Sequence, residues 1–122
     1  MKNIKFRAWD KLCKKMREVI SIEMKPKENY IVMQYTGTND IRGKEIYEGD
    51  IVQVNGAKYV VIYDENKMSF MLLGYTRGGL LAWTSNNYND TELLGNIFEN
   101  PKLFSKDEKL IEKVIDMICE VM

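Results

Sequence analysis

The chain contains no histidine. Histidine is the side chain that changes charge near neutral pH and the usual proton acceptor for a nucleophilic serine or cysteine. Its absence excludes Ser–His and Cys–His catalysis and every histidine-bearing metal site. Phosphate-cradling loops are missing too: neither GxGxxG nor GxxxxGK followed by Ser or Thr occurs, so nucleotide binding has no support from a motif. The two cysteines, Cys13 and Cys119, stand far apart with no CxxC or metal-ligand spacing. They read as free thiols of a reducing compartment. No apolar run approaches the roughly 20 residues that cross a bilayer, and no basic segment with an apolar stretch and cleavage site opens the chain. The expected location is the cytoplasm. Proline is scarce as well, at two residues, and no Gly/Ser/Pro-rich linker or internal repeat divides the 122 positions. One compact unit is expected.

Net charge is also absent, since 18 Lys plus Arg face 18 Asp plus Glu. The charge is unevenly placed. Residues 1–33 carry +5, residues 34–54 carry −2 and residues 55–122 carry −3. A basic first third can steer an anionic partner or favour head-to-tail contacts, an effect that salt weakens.

What is present is mostly strand pattern. Ile4 to Asp10 alternates, with Ile4, Phe6 and Ala8 on one face and Lys5, Arg7 and Trp9 on the other, which predicts a half-buried strand. Met16 to Ile22 is its hairpin partner, Lys25 to Asn29 with Pro26 is a loop, and Tyr30 to Tyr35 is a strand. Ile51 to Val54 and Ala57 to Asp64 flank Asn55-Gly56, the pair best suited to the two left-handed positions of a type I′ turn. In the second of these strands both faces are apolar, which suits a central strand touching more than one layer. Met68 to Tyr75, Leu80 to Thr84 and Glu92 to Glu99 complete a meander with turns at Thr76 to Gly79 and Ser85 to Asp90. The period then changes. Ser105-Lys106-Asp107-Glu108 has the capping-box form, and Leu110, Ile111, Val114, Ile115, Ile118, Val121 and Met122 recur at helical spacing, predicting a helix from about Lys106 to the end.

Several separated motifs carry a resemblance. Phe6-Arg7-Ala8-Trp9-Asp10, Tyr35-Thr36-Gly37, the run from Gly43 to Val52 (GKEIYEGDIV) and Gly95-Asn96-Ile97-Phe98-Glu99-Asn100-Pro101 together resemble the YopX family of phage and prophage proteins, from about Ile4 to about Leu103. The resemblance implies an SH3-like small β-barrel over residues 38–104, a β-element over residues 1–37 before it, and a phage setting. It implies no activity. The amphipathic helix of residues 105–122 lies past the resemblance and reads as an addition. Its stripe is therefore a candidate interface for self-association, weighed slightly above docking on its own barrel.

Chemistry is thinly supplied. Asp40, Glu45, Glu48 and Asp50 lie close in sequence and hard cations take oxygen ligands, but the spacing is not that of a calcium loop. The preferred reading has Asp40 and Asp50 holding turns and Glu45 and Glu48 solvated, with no metal, no cofactor and no catalytic residue. Lys5, Arg7 and Trp9, joined by Lys14, Lys15 and Arg17 across the hairpin, would make a cationic surface with a stacking ring if they faced solvent. The alternative, which is preferred, has Trp9 packed and the cations lying along it. Tyr47, Tyr59, Tyr63, Tyr75, Trp83 and Tyr88 supply either barrel filling or an aromatic groove for a peptide. The sequence thus points to a mainly β, non-catalytic protein–protein interaction or assembly module, with nucleic-acid association through the basic hairpin as the alternative.

Overall fold

The computed structural model describes residues 4–19, 29–74, 79–83 and 90–120. Among the described residues nine strands, β1 (Phe6–Asp10), β2 (Lys15–Glu18), β3 (Tyr30–Asn39), β4 (Glu45–Tyr47), β5 (Asp50–Val54), β6 (Ala57–Asp64), β7 (Ser69–Gly74), β8 (Gly79–Ala82) and β9 (Thr91–Asn96), precede a short 3-10 turn (Pro101–Leu103) and one α-helix, α1 (Glu108–Glu120). They form two antiparallel sheets, ordered β2-β1-β3-β4 and β8-β7-β6-β5-β9. The protein is mainly β with a C-terminal helix, and the five-stranded sheet curls into a half-barrel consistent with the SH3-like expectation. The expected boundary between residues 37 and 38 falls inside β3, which pairs with β1 on one edge and β4 on the other.

The strongest local signal holds. Asn55 and Gly56 both take positive φ, 51° and 82°, as a type I′ turn needs, and β5 and β6 run out from it in register from Val54↔Ala57 to Ile51↔Val60. β6 is central, between β5 and β7, and both its faces are used. Val60 and Ile62 join one core with Ile31, Met33, Ile51, Met71, Ile97 and Phe104; Val61 joins a second with Ile46, Val52, Val54, Leu72 and Trp83.

The strands differ from expectation most at β3, β4 and β9. β4 is a strand where none was expected between Tyr35 and Ile51, and β3 runs four residues past Tyr35 through Gly37 at φ 85°. Thr36 explains how: its Oγ1 donates to the Ile46 carbonyl at 2.7 Å and accepts from the Thr38 N–H at 3.1 Å. A side chain thus takes over ladder bonds at a bulge. β9 stops at Asn96 rather than Glu99, because Asn96 Oδ1 accepts from the N–H groups of Phe98 (3.0 Å) and Glu99 (2.8 Å) and closes an Asx turn. The expected strand end at residues 20–22, the Pro26 loop, the turn at 76–78, Tyr75, and the loop 85–89 with Tyr88 lie outside the described residues.

The helix cap is corrected. Asp107, not Ser105, caps α1: its Oδ1 accepts from Lys109 N (3.0 Å) and Leu110 N (3.3 Å), while Ser105 Oγ accepts from Asp107 N one turn earlier. The apolar stripe lies on the chain's own core, between β3 and β6. Val114 and Ile118 are buried there, and Leu110, Ile111, Ile115 and Cys119 pack around them half-buried. Within the stripe, then, the side chains that a second copy would meet are the half-buried ones. Val121 and Met122 lie outside the described residues.

Candidate functional site

Two features meet where the sheets join. The first is a buried ionic seam. Arg7 on β1 lies directly across from Met33 on β3, and Trp9 across from Ile31; these two partners are core residues, so the face carrying Arg7 and Trp9 is turned inward, toward the second sheet. Arg7 Nη2 donates to Asp50 Oδ1 at 2.7 Å and to the Glu48 carbonyl at 3.2 Å, and its guanidinium carbon lies 4.7 Å from the Tyr47 ring centre. Asp50 Oδ2 accepts from the Tyr47 N–H at 2.7 Å. Trp9 stacks on Phe98 with ring centres 5.5 Å apart.

Between the two carboxylates stands Gly49, at φ 90°. Its N–H donates to Val61 O at 2.7 Å and its carbonyl accepts from Ile97 N at 2.9 Å, so the backbone here is bonded on both sides. A Cβ at this position would sit 2.9 Å from Met33 Sδ. Gly49→Ala combines a left-handed backbone with that clash and is expected to lower stability by about 2 kcal/mol. Chemical denaturation measures it, and a loss under about 0.5 kcal/mol would mean that this backbone relaxes freely.

Glu48 is the outlier of the seam. It was expected in solvent and is 4% exposed; Asp50 is 2% exposed. Among the described residues Glu48 Oε2 and Arg7 Nε are buried without a hydrogen-bond partner. Burial pushes Glu48 up to about 7, against the pull of the Gln34 and Tyr63 backbone N–H groups and of Arg7. Burial likewise raises Asp50 to about 6, against Arg7 and the Tyr47 N–H. Two carboxylates share one guanidinium, and desolvation outweighs it for both.

Most of the remaining charged candidates are also spoken for. Asp40 holds its turn as expected, accepting from Arg42 N (2.8 Å) and Lys44 N (2.9 Å) through Oδ1 and from Leu93 N (3.0 Å) through Oδ2. Burial works to raise its pKa, but these three N–H groups and Arg42 win and lower it. Glu45 pairs with Lys5, and Arg17 Nε donates to Asp10 Oδ2 at 3.0 Å. Lys14 and Lys15 are exposed on the β1–β2 hairpin. The four carboxylates do not converge, and among the described residues no group of three His, Cys, Asp or Glu is placed to hold a metal.

The second feature is a cleft of about 460 Å³ over the seam, between Gln34–Thr38 of β3 and the β6–β7 end of the second sheet. Tyr35 forms one wall, its ring 5.5 Å from that of Tyr47 with the Lys5 ammonium 5.7 Å away. Tyr63 and Phe70 form the other, edge to face at 5.2 Å, with Trp83 behind. Ile4 and Met68, 73% and 80% exposed, stand at the mouth. Along 36–39 of β3, among the described residues, β4 covers one edge and no strand covers the other. Of the aromatics singled out in the sequence, Tyr63 and Trp83 line the cleft, Tyr47 backs its wall and Tyr59 packs on the second core. Tyr35 and Phe70 were missed. Phe70 was legible in principle, because counting out from the β6–β7 turn puts it opposite Tyr63.

Comparison with known proteins bears on all of this. The family model described as YopX protein matches residues 22–105. Protein EF1440 from Enterococcus faecalis has a similar crystal structure, with a TM-score of 0.62 at 23% identity over 86% of this chain and 100% of that one. The crystal structure of yopX from Bacillus subtilis is similar with a TM-score of 0.53 at 18% identity, covering 84% of this chain and 98% of that one. These likenesses concern the fold. No curated protein matches the chain.

Proposed function

This chain belongs to the YopX family, and from that premise we propose that it is a non-catalytic interaction module that grips an extended, apolar stretch of a protein partner in the cleft between its sheets. The observation that carries this reading is the lining. Tyr35, Tyr63, Phe70 and Trp83 supply stacking area, Gln34 and Thr36 to Thr38 supply polar and backbone groups along a strand edge, and no acid, base or thiol is among the described lining residues. Aromatic walls beside an open strand edge suit a peptide in β conformation, whose alternate side chains enter the groove. Chemistry, by contrast, needs convergent titratable groups at a surface. The phage setting and the bacterial cytoplasm belong to the same proposal. No described helix is long and apolar enough to cross a membrane.

The nucleic-acid alternative rests on Lys14 and Lys15, whereas Lys5, Arg7 and Arg17 are engaged by carboxylates and Trp9 lies against Phe98. Of the candidates named in the sequence, that leaves exposed charge without Trp9 as its stacking ring.

Panning a displayed library of random peptides over the immobilised protein tests the proposal. Enriched sequences with apolar residues at alternate positions are expected, and Met68→Asp or Ile4→Asp should weaken them about tenfold or more, a change of about 1.4 kcal/mol. Both side chains are exposed, so the fold should survive. A failure to enrich, or binders indifferent to both substitutions, would reject the cleft as the binding site.

A further inference from the structure

The seam lies directly behind the cleft, and Glu48 links them. Its backbone N–H donates to the Gln34 carbonyl at 2.9 Å, its carboxyl is faced by the backbone N–H groups of Gln34 and Tyr63, and both of those residues line the cleft. The geometry points to Glu48 as a proton-operated control of the cleft: protonated, it lets the two sheets close behind Tyr35 and Tyr63, and ionised, it forces them to readjust. The consequence for a partner rests on the cleft reading above; the coupling itself does not.

The charges decide the direction. Acting on the Glu48 carboxyl are the Arg7 guanidinium from β1 and the backbone N–H groups of Gln34 from β3 and Tyr63 from β6; the same guanidinium binds Asp50 of β5 and lies over the Tyr47 ring of β4, with the Lys5–Glu45 pair beside Tyr47. On the other side of Gly49 the nearest side chains are Met33, Phe98 and Ile118, and all three are apolar. Arg7 already serves Asp50 and the Glu48 carbonyl through Nη2. An ionised Glu48 therefore adds a second negative charge to a buried site with one cation, and its Oε2 has no donor. A buried carboxylate with one oxygen left without a donor is relieved by taking up a proton or by movement that admits water or a new donor. Here movement means shifting the strands that hold Gln34 and Tyr63.

The free protein reads this directly. In a pH titration followed by carbon-detected NMR, the Glu48 side-chain carboxyl should change with a midpoint near 7. The amides of Gln34, Tyr35, Tyr63 and Phe70 should move with the same midpoint, those of Gln53 and Val54 should not, and Glu48→Gln should abolish the cleft response. A Glu48 midpoint in the ordinary carboxylate range overturns the proposal. So does a neutral midpoint with still cleft amides, or a cleft response that persists in Glu48→Gln. The wild-type carboxyl signal needs no variant to fold, and no peptide takes part, so failure of the peptide reading leaves this result intact.

Discussion

Replacing Arg7 with leucine is expected to cost about 3–5 kcal/mol, the range found when one partner of a buried ion pair is removed and the other is left behind. Arg7 is 13% exposed at its side chain and Asp50 2%, so water does little to screen the loss. Three interactions go together: the 2.7 Å bond to Asp50, the 3.2 Å bond to the Glu48 carbonyl and the stacking over Tyr47. The control is Lys5→Leu. Lys5 also pairs with a carboxylate, Glu45, but these side chains are 45% and 36% exposed, and water screens such a surface pair so that it contributes little. Urea denaturation should separate the two variants clearly. Arg7→Leu combined with Asp50→Asn should recover part of the loss, because an amide still accepts from the Tyr47 N–H and no charge is stranded. A loss below about 1 kcal/mol for Arg7→Leu would mean that Asp50 finds water, and that the seam is not closed.

This seam explains what the sequence revealed and what it concealed. Motifs that look like a site, Phe6 to Asp10 and Tyr47 to Asp50, turn out to face each other, and a buried cation, a tight glycine and two carboxylates join the sheets there. Local signals were readable because their causes are local. Asn55-Gly56 sets its own turn, alternation sets β1 and β6, and helical spacing sets α1. The division of β1 into two faces was also legible, and Trp9 packs as preferred, but the depth at which Arg7 is buried was not, because that depends on the strand across from it: Met33 and Ile31 turn the face of Arg7 and Trp9 inward. Burial of Glu48 could not be read from a charged run in which Lys44, Glu45 and Asp50 stand close by. The helix stripe had the same ambiguity. Periodicity says that Val114 and Ile118 need cover, and only the packing shows that β3 and β6 provide it.

The second large effect is on pH. Glu48 titrates at about 7 in the folded protein against 4.5 for the free side chain, so between these values the folded state holds a proton that the unfolded chain has released. Stability must then fall as pH rises, by about 1.4 kcal/mol for each tenfold difference in proton affinity between the two states, or about 3 kcal/mol from one plateau to the other. The stabilisation is complete below about 4.5 and lost as pH passes 7. Asp50, raised from 3.8 to about 6, acts in the same direction at lower pH, and because both share Arg7 the two losses do not add. Asp10 and Asp40 act the other way: both are lowered, so they support the fold above 3.8 and fail only in stronger acid. Between pH 6 and 8 Glu48 is thus the dominant carboxylate, accounting for roughly 1 kcal/mol of decline. Denaturation midpoints across that interval should fall for the wild type and stay level for Glu48→Gln, which should be the more stable of the two at pH 8. A wild type that gains stability from pH 6 to 8 would show that Glu48 is ionised in the fold at no cost, and that Arg7 serves both carboxylates at once.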